Sequence, residues 1–294
     1  MVRRVVVVKL SGAVDFRIQC MLTKQAWGGG TLRILFVGDV VGRVGRRLLA
    51  DHLRTLVHQH AVDFTVANVE NAAGGFGVTD QVWGELKRLP VDVFTSGNHI
   101  WDKRETAALL DSEPRLLRPA NYPAGNPGRG WCVFKSRAGV PVGVLNLQGL
   151  TFMTPMESPF RLADAVLDEI QAQARVVIVD MHAEATSEKQ ALAWHLDGRV
   201  AAVLGTHTHV PTADERILPR GTAALTDVGM TGPYEGIIGF KPKPVLERFL
   251  YATPRAFEPA TRGGALCAAL IDVDDVSGMA TAIRRLRVES GDDG

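Results

Sequence analysis

From Leu32 onward one unit recurs along the chain. A run of roughly four to six apolar or β-branched residues ends in polar, metal-capable side chains, and a Gly-rich or helix-starting segment usually follows. The run 34–37 leads into Gly38-Asp39. The run 64–69, with Asn68 inside it, leads into Glu70-Asn71 and then Gly74-Gly75. The run 91–95 leads into Gly97-Asn98-His99. The run 176–179 leads into Asp180 and, past Met181, into His182 and Glu184; the run 201–204 leads into Gly205, then His207 and His209. Short apolar runs bounded by turn signals read as buried strands. Helix-like segments lie between them over 46–60, 79–88, 103–110 and 186–196, the last opening with Ser187 and Gln190 at capping-box spacing. Strands alternating with helices make this an α/β protein.

In such folds ligands bind beyond the carboxyl ends of the strands, so polar residues placed there converge although they are distant in sequence. The set gathered at that edge is Asp39, Glu70, Asn71, Asn98, His99, His182, His207 and His209. Carboxylates, amides and imidazoles without thiolates suit Mn, Fe, Co or Zn. The set is also large enough for two ions sharing a bridging carboxylate, an arrangement used for in-line displacement at phosphorus. Taken singly, Asp39 reads as a helix cap, Asn71 and Asn98 as turn residues and His182 as a hydrogen-bonded structural histidine. Gly205-Thr206-His207-Thr208-His209 says more, because two histidines at alternate positions past a buried strand can bind one metal each or share a site. His52, His58 and His60 read as solvated, and His195 as packing. Gly74-Gly75-Phe76-Gly77 can cradle a phosphate through backbone N–H groups, but lacks the spacing of a Walker loop or of GxGxxG.

Composition narrows the class further. Lys+Arg 33 against Asp+Glu 32 leaves a net charge of +1, no electrostatic footprint for nucleic acid or an anionic membrane. Cys20, Cys132 and Cys267 are far apart, which argues against a disulfide framework or thiolate zinc site and suits a reducing, cytoplasmic setting. No apolar run approaches the roughly 20 residues of a spanning helix. With 294 residues the chain reads as a single domain over 32–294. Residues 1–31 read as a disordered or non-native extension: a basic start (Arg3, Arg4), a Val5–Val8 run cut short by Lys9, and Gly28-Gly29-Gly30.

Together, Gly38-Asp39-Val40-Val41-Gly42, Gly97-Asn98-His99, His182 and Gly205-Thr206-His207-Thr208-His209 resemble the blocks of calcineurin-like metallophosphoesterases. Where that superfamily carries a Gly-Asp-x-x-Asp block, this chain has Val69-Glu70-Asn71-Ala72-Ala73-Gly74-Gly75. That departure is similar to the YmdB-type subfamily, bacterial phosphodiesterases acting on 2′,3′-cyclic nucleotides, as are Gly97-Asn98-His99-Ile100-Trp101, Asp180-Met181-His182-Ala183-Glu184-Ala185-Thr186 and the segment 205–211. The resemblance covers about residues 32–290. It implies a β-sandwich flanked by helices, with the metal site at the strand carboxyl ends. It also implies two divalent or trivalent ions, Fe or Mn favoured and Zn possible. Glu70 would bridge them, with Asp39, Asn71 and His209 completing one site and Asn98, His182 and His207 the other. His99 would stand beside them as proton donor to the leaving oxygen, while a metal-activated hydroxide attacks phosphorus. The implied substrate is a small cyclic nucleotide or other phosphodiester, handled by a homo-oligomer with no membrane and no stable nucleic-acid partner. A phosphomonoesterase or phosphoprotein phosphatase on the same site, and a nucleotide- or RNA-binding regulatory module, are the competing expectations. Segments 151–161 and 231–241, with their aromatics, Pro and Gly, read either as pocket-shaping loops or as ordinary surface loops.

Overall fold

The computed structural model describes residues 30–290. The expectation for the amino-terminal extension, up to residue 29, and Cys20 with it, lies outside the described residues.

Two six-stranded sheets pack face to face. The first contains β1 (Thr31–Val37), β2 (Phe64–Asn68) and β3 (Val93–Thr95), with β10 (Gly232–Pro233), β11 (Gly264–Asp274) and β12 (Ala280–Glu289) beyond β1. Its order is β10-β11-β1-β2-β3, with β12 on β11; β1, β2 and β3 are parallel and β11 runs antiparallel to β1. The second sheet has the order β4-β5-β6-β7-β9-β8. Its strands are β4 (Trp131–Lys135), β5 (Pro141–Gln148), β6 (Val176–His182), β7 (Ala202–Thr206), β8 (Arg216–Ile217) and β9 (Ala223–Leu225), and β5, β6, β7 and β9 are parallel.

Alternation along each strand divides the core. Ile34, Phe36, Phe64 and Val66 of the first sheet meet Val144, Ile178, Ala202 and Leu204 of the second in one buried cluster between the sheets. The opposite face of the first sheet, with Leu35 and Val37, lies under α1 (Gly42–Gln59) through Leu48, Leu49 and Leu53. The opposite face of the second, with Val177 and Val179, lies under α4 (Pro159–Gln171) and α5 (Thr186–His195) through Leu167, Ile170 and Leu192. Both faces of each parallel segment are covered, so these strands read as continuous apolar runs. The remaining helices are α2 (Asp80–Leu86), α3 (Thr106–Ser112) and α6 (Pro242–Tyr251), with a 3-10 turn over Asn98–Trp101. This is the α/β class read from the strand–helix alternation and the sandwich flanked by helices that the resemblance implies, with its ligand-type residues near the strand carboxyl ends. Among the described residues no helix is long and apolar enough to cross a membrane.

Several boundaries differ from expectation. The strand expected over 176–179 runs to His182, so Asp180 and His182 lie inside it rather than beyond its end. Asp180 can stay in a buried strand because Asn68, Thr95 and Thr206 all donate hydrogen bonds to its carboxylate. The capping box at Ser187 and Gln190 does not form: the N-cap of α5 is Ala185, and Gln190 Nε2 instead donates to Thr226 Oγ1 at 3.1 Å. Part of segment 151–161 is helix, since Pro159 opens α4 and Ser158 caps it by accepting from the Arg161 N–H.

Candidate metal centre

Each ligand-type side chain is delivered by a turn just past a strand, or by the strand's own end. After β1, Gly38 passes so close to Gly229 that a Cβ would stand 1.8 Å from its carbonyl oxygen. Asp39 follows, fully buried. Its Oδ2 accepts the His207 N–H at 3.1 Å, whereas its Oδ1 has no hydrogen-bond partner and lies 3.7 Å from His182 Nδ1. After β2, Asn68 Oδ1 accepts the Glu70 N–H and turns the chain inward. Glu70, 1% exposed, places Oε1 3.1 Å from His182 Nε2 while Oε2 accepts the His99 N–H at 3.1 Å. Asn71 donates from Nδ2 to the Gly75 carbonyl, which leaves its Oδ1 facing His209 Nε2 at 3.2 Å. After β3, a Cβ on Gly97 would stand 2.1 Å from the His182 ring, so only glycine lets Asn98 Oδ1 come within 3.0 Å of His182 Nε2.

The imidazoles come from the second sheet. His182 Nδ1 lies 2.9 Å from Thr206 Oγ1, and that hydroxyl donates to Asp180 Oδ1 at 2.7 Å. The Thr206 oxygen therefore accepts from Nδ1–H, and in the neutral ring the lone pair of His182 sits on Nε2. His209 is fixed in the same way, because Nδ1 donates to the Ile238 carbonyl at 2.8 Å and Nε2 faces Asn71. His207 turns Nδ1 toward His182 Nε2 at 3.1 Å. Both His207 (φ 96) and His209 (φ 65) adopt left-handed backbone, which non-glycine residues hold only when their surroundings impose it. Thr208 between them gives both its N–H and its hydroxyl to Asp227 Oδ2. That carboxylate is in turn paired with Lys189 Nζ at 2.6 Å, and both partners of the pair are almost fully buried.

The eight residues that the sequence brings to one edge thus meet. Two groups can each hold an ion: Glu70, His182 and His207, and Asp39, Glu70 and His209. Glu70 is common to both. The donor set fits metal ions on two counts. Asp39 Oδ1 is a buried acceptor with nothing donating to it. Oxygen from Glu70 and Asn98 and nitrogen from His207 also crowd around His182 Nε2, where only a cation or a proton relieves the convergence of lone pairs.

The electrostatics agree. Burial would lower His182, but the carboxylates of Glu70, Asp39 and Asp180 together outweigh it and raise His182 to about 9. Burial would raise Glu70, but His182, His99 and His207 together outweigh it and lower Glu70 to about 2. Burial and the neighbouring His182 push His207 down to about 3. Burial raises Asp39 against the attraction of His209 and His182, and it lifts Asp180 to about 6. In the bare chain, a proton on His182 does locally what a cation would do.

A cavity of about 350 Å³ opens onto this cluster, with Glu70, His99, Glu184, His207 and Phe240 in its wall. His99 holds Asp102 Oδ2 at 2.8 Å through Nδ1 and packs in a T-shaped contact with Phe76, which stacks on Phe240. Segment 231–241 therefore shapes the cavity, through Ile238 and Phe240, whereas 151–161 contributes nothing to its lining. In the Gly-rich loop, the Gly75 N–H donates to Asn71 and the Phe76 N–H to Ala73, so these two amides serve the turn rather than a phosphate. His195 pairs with Asp164 at the surface, away from the cavity. Sequence reasoning missed Asp102, three residues past His99 on the same turn, and the supporting pair Lys189–Asp227. The first had a spacing signal; the second had none.

A family model described as YmdB-like protein matches residues 35–286. A 2′,3′-cyclic-nucleotide 2′-phosphodiesterase of Bacillus subtilis (strain 168) is 46% identical over 257 residues, covering 87% of this chain and 97% of that protein. Among solved structures, a hypothetical protein from Thermus thermophilus superposes with a TM-score of 0.83 at 42% identity, over 88% of this chain and 100% of that one. A novel phosphatase of Mycoplasma pneumoniae superposes with a TM-score of 0.84 at 32% identity, over 90% and 96%.

Proposed function

The chain belongs to the YmdB-like family, and on that premise we propose that it is a metal-dependent phosphodiesterase that hydrolyses small cyclic nucleotides of the 2′,3′ type. The observation that carries this reading is the sharing of Glu70 by two ligand groups at one cavity, with His99 in its wall. Two bound ions would supply positive charge at the phosphate oxygens and a water acidified to near-neutral pKa. Glu70 is proposed to bridge them, Asp39, Asn71 and His209 to hold one, and Asn98, His182 and His207 to hold the other. Oxygen and imidazole donors without a thiolate suit Fe, Mn or Zn, and we take Fe or Mn as the favoured ions from the family resemblance.

The chain's own residues do the rest. Thr206 and the Ile238 carbonyl hold Nδ1 of His182 and of His209, so that each ring turns Nε2 toward the site without reorganisation. Asp102 holds His99 Nδ1, leaving Nε2 to carry the proton that the departing ribose oxygen needs. That oxygen is strongly basic, so the donated proton is worth roughly 10²–10⁴ in rate. The complete donor set speaks against a regulatory module that merely binds nucleotide. The proposal includes a cytoplasmic, homo-oligomeric protein without a stable nucleic-acid partner, for which light scattering on the purified protein reads the assembly. Its central test is turnover by protein purified without chelator. A 2′,3′-cyclic nucleotide should be hydrolysed, with activity lost to a chelator and restored by Mn or Fe. Preference for a phosphoserine peptide would instead make the protein a phosphatase.

A further inference from the structure

Glu184 belongs to neither ligand group, yet it stands in the cavity wall with its side chain 49% exposed and Oε2 3.2 Å from His207 Nε2. The His207 ring spans the distance between them, with Nδ1 facing His182 and Nε2 facing the Glu184 carboxylate. Among the described residues that line the cavity there is no lysine or arginine. The remaining wall near His209 is aliphatic, from Val210 and Ile238, both about half-exposed. A phosphate ester entering here finds a fixed negative charge on the protein and no guanidinium or ammonium group to offset it.

We propose that Glu184 is a specificity-determining residue that filters phosphate esters by charge. It favours monoanionic diesters over dianionic monoesters and drives out the monoester product. The inference rests on the phosphodiesterase reading above. In that reaction water adds across one P–O bond of the ring: a P–O bond to water forms and the P–O bond to one ribose oxygen breaks. One proton goes to that oxygen, and a second is released to solvent as the monoester ionises. The diester carries one negative charge and the product close to two near neutral pH, since the second phosphate pKa is about 6. Repulsion from a carboxylate scales with the ligand's charge, so it weighs about twice as heavily on the product as on the substrate. Such a residue makes the site a diesterase and shortens the life of the product complex.

The test compares wild type with Glu184→Gln, which keeps size and hydrogen-bonding capacity but removes the charge, and with Glu184→Asp, which keeps the charge. Binding of adenosine 3′-monophosphate to the metal-loaded protein is measured by calorimetry. kcat/KM is measured on bis(p-nitrophenyl) phosphate and on p-nitrophenyl phosphate, and elemental analysis accompanies each variant. In Glu184→Gln, affinity for the monophosphate and kcat/KM on the monoester should rise on the order of ten- to hundredfold, and kcat/KM on the diester by only about the square root of that factor. Metal content should stay near wild type, and Glu184→Asp should retain the discrimination. Equal changes on the two substrates, no change in monophosphate affinity, or loss of an ion from Glu184→Gln would overturn the proposal, the last because Glu184 would then be positioning His207. Wild-type protein inert toward every diester would instead defeat the phosphodiesterase reading, while the calorimetric comparison would still report on the charge filter.

Discussion

The two sheets bring opposite chemistry to the cavity. Turns after β1, β2 and β3 supply oxygen donors, from Asp39, Glu70, Asn71 and Asn98, whereas β6 and the turn after β7 supply the imidazoles of His182, His207 and His209. Much of the oxygen half is arranged by near neighbours: Asn68 orients the Glu70 backbone and the Gly75 carbonyl orients the Asn71 amide. The nitrogen half is arranged from afar. His182 depends on Thr206, His209 on Ile238, and the turn that holds both His207 and His209 on Asp227 and Lys189. Rigid placement of imidazoles on left-handed backbone demands such distant support, because the local sequence alone would relax it. The oxygen half should therefore fail mainly through the ligands themselves, and the nitrogen half also through residues that never touch a metal.

The largest effect expected is at the residue common to both groups. Glu70→Ala should lose both ions and fall to the activity of metal-free protein, whereas Asp39→Ala should mainly weaken one ion. Elemental analysis of each variant checks this, and full occupancy in Glu70→Ala would remove the bridging role.

His99 comes next; it lies on the oxygen side and is proposed as proton donor rather than ligand. His99→Ala should slow a 2′,3′-cyclic nucleotide by roughly 10²–10⁴-fold with metal content retained. An activated aryl diester, whose phenolate leaves without a proton, should lose far less. Equal losses on the two substrates would show that His99 positions the site rather than donating a proton.

A remote change on the nitrogen side should rank third. Lys189→Met leaves Asp227 buried without its cation, a loss of about 3–5 kcal/mol of stability by denaturant unfolding. It should also weaken ion binding, because Thr208 and its flanking histidines lose their anchor. Lysine replaced by methionine with unchanged metal affinity would break the contrast between the halves.

The smallest effect is a pH dependence. The His182–His207 pair shares one proton in the metal-free protein, with His182 raised to about 9 because the carboxylates of Glu70, Asp39 and Asp180 together outweigh the effect of burial. A ligating imidazole must be neutral, so ion binding at pH 7 should release about one proton from this pair. Apparent affinity should accordingly rise with pH, by at most about tenfold per unit, and level off near pH 9. Calorimetry in buffers of different ionisation enthalpy reads the proton directly; no release would mean that His182 is already neutral.

How much of this was legible in the sequence follows the same division. Asp39, Glu70, Asn71, Asn98 and His99 announce themselves because apolar runs and glycine turns are local signals, and an α/β order places strand ends on one edge. His182, His207 and His209 were legible as residues but not as a geometry. The run 176–179 gave no hint that β6 continues through Asp180 to His182, since that continuation depends on Asn68, Thr95 and Thr206, the first of them 112 positions away in the chain. The antiparallel pair β11–β12 and the edge strands of the second sheet also escaped notice, because their pairing is set by partners far along the chain. The sequence alone therefore determined the fold class, the donor types and the edge where they gather. Tertiary structure decided which nitrogen of each histidine faces inward, which carboxylate both ligand groups share, and that Glu184 stands in the cavity wall. A buried polar group must find a hydrogen-bond or charge partner, and in this protein most of those partners come from elsewhere in the chain.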